Sequence, residues 1–259
     1  AKSTKCTFAN AESSLLQIYE LNQAVQELFT KVMNGTNAGS DEQTAIKTQI
    51  EKLQEEMLTL ANGQYANKYM FGGTNTSGPP FSVDANGKLL YNGKDVGTVA
   101  DVQHFFDDKS FIDIGLGITT EENSSEIREN SVFCNTLTGL EFMGTGPNNL
   151  YQLMSDMTDM IAAGMPDKAA AGELLNKFQD AAAHSNLMVT RLGADSQYLD
   201  FTIDRLETEE INLTERQQNL EVITPEEAII NFKMQEYVYN AALQMGQRLL
   251  QPTLFSFIS

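Results

Sequence analysis

Residues 61–81, ANGQYANKYMFGGTNTSGPPF, decide how the chain is organised. A helix-forming run ends in Tyr65, Tyr69 and Phe71, then gives way to Gly72-Gly73, Thr-Asn-Thr, Ser-Gly and Pro79-Pro80 before Phe81. Glycine and proline at this density punctuate a chain and mark a change of structural regime. A helical segment closes here and a different kind of structure opens.

Glycine shows the same division along the whole sequence, since 12 of the 18 glycines fall between residues 61 and 146. Upstream of the junction, Phe8, Ala11, Leu15, Ile18, Asn22, Val25, Phe29 and Val32 recur at alternating spacings of three and four, the signature of a helical seam. Asn22 is its one polar member, and a lone seam Asn fixes register at some cost in stability. NGTNAGSDEQ breaks this helix, and Ser40 with Gln43 forms a capping box that restarts one. Ile46, Ile50, Leu53, Met57 and Leu60 carry the pattern on to the junction. Two antiparallel helices joined by a short loop are predicted.

Downstream the period changes. FSVDANGKLLYNGKDVG holds short β-prone runs separated by Asn86-Gly87 and Asn92-Gly93, each a hairpin signal, and SFIDIGLGI adds a strand containing Phe111, Ile112 and Ile114. Helical periodicity returns at Asn148, and Leu192, Leu199, Leu206, Leu213 and Leu220 stand at every seventh residue, which predicts one long helix with a single apolar stripe. Thr224-Pro225-Glu226-Glu227 reads as a cap that starts a further helix of about 27 residues, with Pro252 ending or kinking it before the apolar tail LFSFIS.

The expected fold is therefore α+β: a long antiparallel helical bundle, a coiled-coil shaft, with an inserted small mainly-β domain. The shaft is assigned to residues 1–73 and 146–223, the outer domain to 74–145, and an assembly helix with its tail to 224–259. Segments 1–70 and 148–223 should share a seam including Leu15, Ile18, Val25, Leu53, Leu199 and Leu206.

Charge and composition narrow the function. A net charge of -18 without a Lys/Arg cluster repels phosphate backbones and anionic lipid, so neither nucleic acid nor membrane is an expected partner. No apolar run approaches the roughly 18 to 20 residues that span a bilayer, and AKSTKCTFANAESS lacks the apolar core of a cleaved signal peptide. The chain starts with Ala1 rather than Met, which reads as a processed or a trimmed N-terminus. Cys6 and Cys134 fall in different predicted domains and are read as two thiols rather than a disulfide.

No catalytic or metal constellation can be assembled. His104 and His184 are isolated, Gly115-Leu116-Gly117 lacks the third glycine of a dinucleotide loop, and Asp107-Asp108 and Glu121-Glu122 lack EF-hand spacing. The expectation is a protein without cofactor or enzymatic activity. What the sequence does display is an apolar helix, with Ile230, Tyr237, Ala241, Met245 and Leu249 along one side, leading into Leu254, Phe255, Phe257 and Ile258. Such a surface calls for another chain or a chaperone to bind it, the alternative being that the tail tucks onto the chain's own helices.

These residues resemble a known family, the bacterial flagellar hook-filament junction proteins, also called flagellar hook-associated protein 3 (FlgL type), relatives of flagellin. ANGQYANKYMFGGTNTSGPPF is similar to the family's Ala-Asn, Tyr-x-Phe-Gly-Gly-Thr, Pro-Phe signature, and marks Tyr65, Tyr69, Phe71, Gly72, Gly73, Pro80 and Phe81 as the domain junction. SFIDIGLGI with FMGTGPNNLYQLM resembles the return into helix, and QEYVYNAALQMGQRLLQPTLFSFIS resembles the C-terminal helix. The resemblance departs at two places: nothing here matches the family's first helical segment, and Pro252 stands where a helix-compatible residue is expected. It implies a structural adaptor of the extracellular flagellum, exported through the flagellar type III apparatus without a cleaved signal peptide. The implied partners are other copies in a ring, the neighbouring hook-associated protein, flagellin and an export chaperone. A flagellin-like filament subunit, or a secreted coiled-coil effector or translocator, is the alternative.

Overall fold

The computed structural model describes residues 2–35, 40–120, 127, 132–165, 167–221 and 225–250. The chain divides into two compact units, Ala1–Asp204 and Arg205–Ser259.

The first unit is a helical bundle carrying an insertion. Helix α1 (Lys2–Asn34) buries Phe8, Ala11, Leu15, Ile18, Asn22, Val25, Phe29 and Val32, the whole seam predicted for it. Helix α2 (Ser40–Ala61) packs on α1 and buries Ile46, Ile50 and Met57. The loop before it and the Ser40 side chain, hence the expected capping box, lie outside the described residues. Helix α6 (Leu150–Ala162) starts at Asn149, whose side chain accepts a hydrogen bond from the Gln152 amide at 2.9 Å. Helix α7 (Lys168–Glu221) is capped by Asp167, which accepts from the amides of Ala169 and Ala170. Lys5 pairs with Asp200, Gly193 lies against Glu12, and Gly172 lies against Met33, so α7 runs antiparallel to α1.

Two expected seam residues are corrected: Leu53 and Leu206 are only half-buried. On α2 the inward position belongs to Gln54, whose amide donates to the Tyr151 carbonyl and to Ser155 Oγ on α6, both at 2.8 Å. On α7 the buried stripe includes Leu192 and Leu199 and runs to Thr202, whereas Leu213 and Leu220 are 59% and 87% exposed. Lys5 is level with Asp200, so the described part of α1 covers α7 no further than about that point. The leucine heptad thus extends beyond the surface that buries it.

Helical structure also ends earlier than expected. Instead of running to residue 70, α2 stops at Ala61, and strands β1 (Gln64–Tyr65) and β2 (Lys68–Tyr69) form a tight hairpin. Ala66 (φ 49°) and Asn67 (φ 62°) turn it in the left-handed region that suits a two-residue hairpin. The return to helix comes as two helices, α6 and α7, divided at Gly164 (φ 80°) and Met165 (φ 54°), and α7 is the one long helix that the leucine heptad predicts.

The insertion contains an antiparallel sheet of β3 (Phe81–Val83), β4 (Leu89–Tyr91) and β5 (Lys94–Asp95), and a pair of β6 (Phe111–Asp113) and β7 (Val132–Cys134). Asn92 (φ 47°) and Gly93 (φ 80°) make the predicted two-residue turn between β4 and β5. Asn86-Gly87 serves a longer loop, in which the Asp84 carboxylate accepts from the amides of Asn86 and Lys88 at 2.8 Å. Three short helices, α3 (Val99–Val102), α4 (His104–Asp107) and α5 (Leu140–Met143), accompany the strands.

In the second unit, helix α8 (Pro225–Leu250) opens with Pro225, Glu226 and Glu227. Thr224, Pro252 and the tail lie outside the described residues.

Candidate functional site

The junction residues gather around one aromatic cluster. Phe71, Gly72, Pro80 and Phe81 are buried, while Tyr65, Tyr69 and Gly73 are half-buried. Phe71 meets Phe142 edge-on at 5.0 Å, and Phe81 lies 5.0 Å from Tyr91 and 6.2 Å from Phe142. The outgoing and returning segments are stitched side by side. Gly73 N donates to the Leu137 carbonyl at 3.0 Å, Gly139 N donates to the Phe71 carbonyl at 2.9 Å, and Gly72 bridges Thr138. Both crossings between bundle and insertion are therefore held by main-chain bonds.

Several residues of this junction escaped sequence reasoning. Asn62 pairs with Phe81 like a strand partner: its side-chain nitrogen donates to the Phe81 carbonyl and its oxygen accepts from the Phe81 amide, each at 2.9 Å. Gly139 must lack a side chain, because a Cβ there would lie 2.5 Å from the Phe81 ring. Tyr91 donates its phenol proton to the Phe71 carbonyl at 2.9 Å, and burial pushes its pKa far up, against the opposing effect of the Gly139 amide. Ser185 on α7 donates to the Phe142 carbonyl at 3.1 Å. Nothing in one sequence could pair residues so far apart; the weak signal was the clustering of glycines on this side of the chain.

Glu141 ties α5 to α7 through Arg191 at 2.8 Å. Burial raises the pKa of Glu141 and of Asp195, with Arg191 pulling each back down.

The candidate assembly helix is exposed throughout residues 225–245. Ile230, Tyr237, Ala241 and Met245 all face solvent. The Leu249 side chain and Leu254, Phe255, Phe257 and Ile258 lie outside the described residues. The expected single apolar side is one of two, since Ile229, Phe232, Tyr239 and Leu243, at helical spacing on the opposite flank, are also 49–67% exposed. Ile230 and Tyr237 themselves stand at 58% and 75%. A helix apolar on two flanks can be buried between two neighbours.

Elsewhere the chemistry is sparse. His104 lies against Phe105, with ring centroids 4.0 Å apart and the rings tilted by 36°, and His184 lines an open groove with Glu141, Lys177 and Asp180. Among the described residues no group of three or more His, Cys, Asp or Glu side chains could hold a metal ion, and no helix is long and apolar enough to cross a membrane. Cys6 and Cys134 are free thiols.

The chain shares its fold with solved flagellar proteins. A protein from Vibrio parahaemolyticus assigned as a flagellar hook-associated protein superposes with a TM-score of 0.66 at 14% identity, covering 84% of this chain and 87% of its own. Flagellar hook-associated protein 3 from Legionella pneumophila gives 0.61 at 11% identity, covering 84% and 94%. FlgL from Bacillus cereus gives 0.57 at 16% identity, covering 82% and 88%. No protein-family model and no curated protein matches the sequence. The fold is that of the FlgL-type hook-associated proteins, a helical bundle with an inserted small β domain.

Proposed function

We propose that this chain is a structural subunit of the bacterial flagellum that joins the hook to the flagellin filament. The observation that carries the reading is the shared architecture: more than four fifths of the chain follows solved hook-associated proteins through both bundle and insertion. The exposed two-flanked α8 supports it, because an apolar helix of this kind is covered when subunits pack together. Residues 1–73 and 146–223 act as shaft, 74–145 as outer domain, and 224–259 as assembly segment. Ile230, Tyr237, Ala241, Met245, Leu249, Leu254, Phe255, Phe257 and Ile258 provide the contact surface. The partners are other copies in a ring, the neighbouring hook-associated protein, flagellin and, before export, a chaperone. The role is mechanical, not catalytic.

The test is electron microscopy of the source bacterium with the gene deleted and then restored. Bare hooks with flagellin shed into the medium are expected, and Ile230→Asp with Tyr237→Asp should fail to restore filaments. Normal filaments on the deletion strain would overturn the reading.

A further inference from the structure

Three Asn-Gly pairs stand in or beside the insertion: Asn62-Gly63, Asn86-Gly87 and Asn92-Gly93. A fourth, Asn34-Gly35, ends α1, where the Gly35 amide donates to the Lys31 carbonyl at 3.0 Å. Asparagine before glycine is prone to an intrachain reaction, because glycine has no side chain to shield its amide nitrogen from the neighbouring carboxamide. In sequence the three insertion pairs are nearly alike; the fold makes them different.

Two of them are restrained. Asn62 is half-buried, both polar atoms of its side chain are bonded to Phe81 at 2.9 Å, and Gly63 N donates to the Leu60 carbonyl at 3.0 Å. Reaction there must first undo the closure of the junction. Asn92 lies in the left-handed region (φ 47°), where Cβ and the following nitrogen stand nearly anti across the Cα–C bond, so Gly93 N is carried away from the Asn92 side chain. That side chain is also tied, donating to the Gly72 carbonyl at 3.3 Å and accepting from Asn75 Nδ2 at 3.4 Å.

Asn86 differs on each count. It is exposed in the β3–β4 loop, its φ lies outside the left-handed region, and Gly87 has open space around it. Its Nδ2 donates to Asp84 Oδ2 at 3.2 Å, and Gly87 N donates to the Asp84 carbonyl at 3.1 Å. These bonds are internal to one exposed loop, which opens without disturbing a packed core.

We propose that Asn86 is a modification site, at which the insertion alters itself by deamidation. Gly87 N attacks Asn86 Cγ and forms a C–N bond; the Cγ–Nδ2 bond breaks, and Nδ2 leaves as ammonia with the proton that Gly87 N gives up. Water, the one co-reactant, then opens the five-membered succinimide at either carbonyl. The product is aspartate, or isoaspartate with the backbone routed through the side chain. The change acts on the loop that carries it. A carboxylate replaces the donor 3.2 Å from Asp84 Oδ2, so an attraction becomes a repulsion, and the nearby Lys88 ammonium is already engaged by Asp95 at 3.0 Å. Each event adds one negative charge to the -18 of the chain and loosens the β3–β4 turn. The chemistry is independent of what the chain is joined to.

The experiment is incubation of the full purified chain in mildly alkaline buffer, folded and, in parallel, unfolded in guanidinium chloride. Two readouts follow the reaction: peptide mapping by mass spectrometry, and methylation by an isoaspartyl carboxyl methyltransferase with labelled S-adenosylmethionine. Each folded rate is divided by the unfolded rate of the same pair, which removes the effect of local sequence. That ratio should be at least about tenfold higher for Asn86 than for Asn62 or Asn92, the two whose reaction needs a costlier opening. Asn86→Gln, whose attack would need a six-membered ring, should abolish methylation of peptides from the folded insertion. A ratio for Asn62 or Asn92 equal to that of Asn86, or an Asn86 left intact in the folded chain after the unfolded chain has reacted, would each overturn the proposal. So would methylation of the insertion that persists in Asn86→Gln.

Discussion

The phenol of Tyr91 donates a 2.9 Å hydrogen bond to the backbone carbonyl of Phe71, joining the first sheet of the insertion to the segment by which the chain leaves the bundle. The same carbonyl also accepts from Gly139 N on the returning segment, so one oxygen binds three stretches of chain. Tyr91→Phe should therefore cost only about 1 kcal/mol, since the carbonyl keeps one partner. It should also change the alkaline limb of stability. Burial raises the folded pKa of Tyr91 above its ordinary 10.0, so the folded state keeps a proton that the unfolded chain gives up. That contribution is complete below pH 10.0 and is lost as pH rises above it. Urea titrations between pH 8 and 11 should show a shallower alkaline decline in Tyr91→Phe than in the parent; identical slopes would remove Tyr91 as its source.

Gly139 and Gly87 should respond to alanine for different reasons. Gly139 has an ordinary backbone (φ -60°), but its Cβ would strike the Phe81 ring at 2.5 Å and the Phe71 carbonyl at 3.1 Å. Overpacking of this kind costs about 1–3 kcal/mol. Gly87 has open space around it but a φ of +81°, which costs an alanine about 1–2 kcal/mol. The two variants separate under a second change: Phe81→Leu should relieve Gly139→Ala and leave Gly87→Ala unaffected, as a double-mutant cycle would measure.

What could be read from the sequence was local. The α1 seam came out residue for residue because the three-four period of Phe8 to Val32 depends on one helix alone. The Asn92-Gly93 turn came out because its backbone requirement is written in two adjacent residues. The errors lie where a partner element decides. Gln54 takes an inward position because Tyr151 and Ser155 on another helix receive its amide. Ala66 enters the left-handed region because the hairpin demands it, against its own preference. The closure of the junction by Asn62, Thr138 and Gly139 joins residues that no short-range pattern connects.

Glu141 and Asp195 predict a stability change on the acid side. Burial raises both pKa values above the ordinary 4.5 and 3.8 despite Arg191. The folded state therefore binds these protons more tightly than the unfolded chain, and stability from these groups grows as pH falls from neutrality toward 4.5. Glu141→Gln removes one of these groups. Its stability relative to the parent should be greatest at neutral pH and should shrink as pH falls toward 4.5. If that difference instead grew with acid, the ion pair with Arg191 would outweigh burial.

The leucine heptad of α7 offers a measurement that separates folding from assembly. Leu199 is fully buried and Leu220 is 87% exposed, although the sequence places both on one stripe. Leu199→Ala should cost the isolated chain about 2–5 kcal/mol, the range for emptying a packed leucine site. Leu220→Ala should stay within about 0.5 kcal/mol, as exposed substitutions do. An exposed leucine at the same heptad position still carries its apolar area, and that area counts once a neighbour covers it. Leu213→Asp with Leu220→Asp should therefore leave the melting temperature of the purified chain unchanged yet reduce filament retention on cells expressing it. Equal retention by this variant and the parent would show that the outer half of the stripe serves neither folding nor assembly.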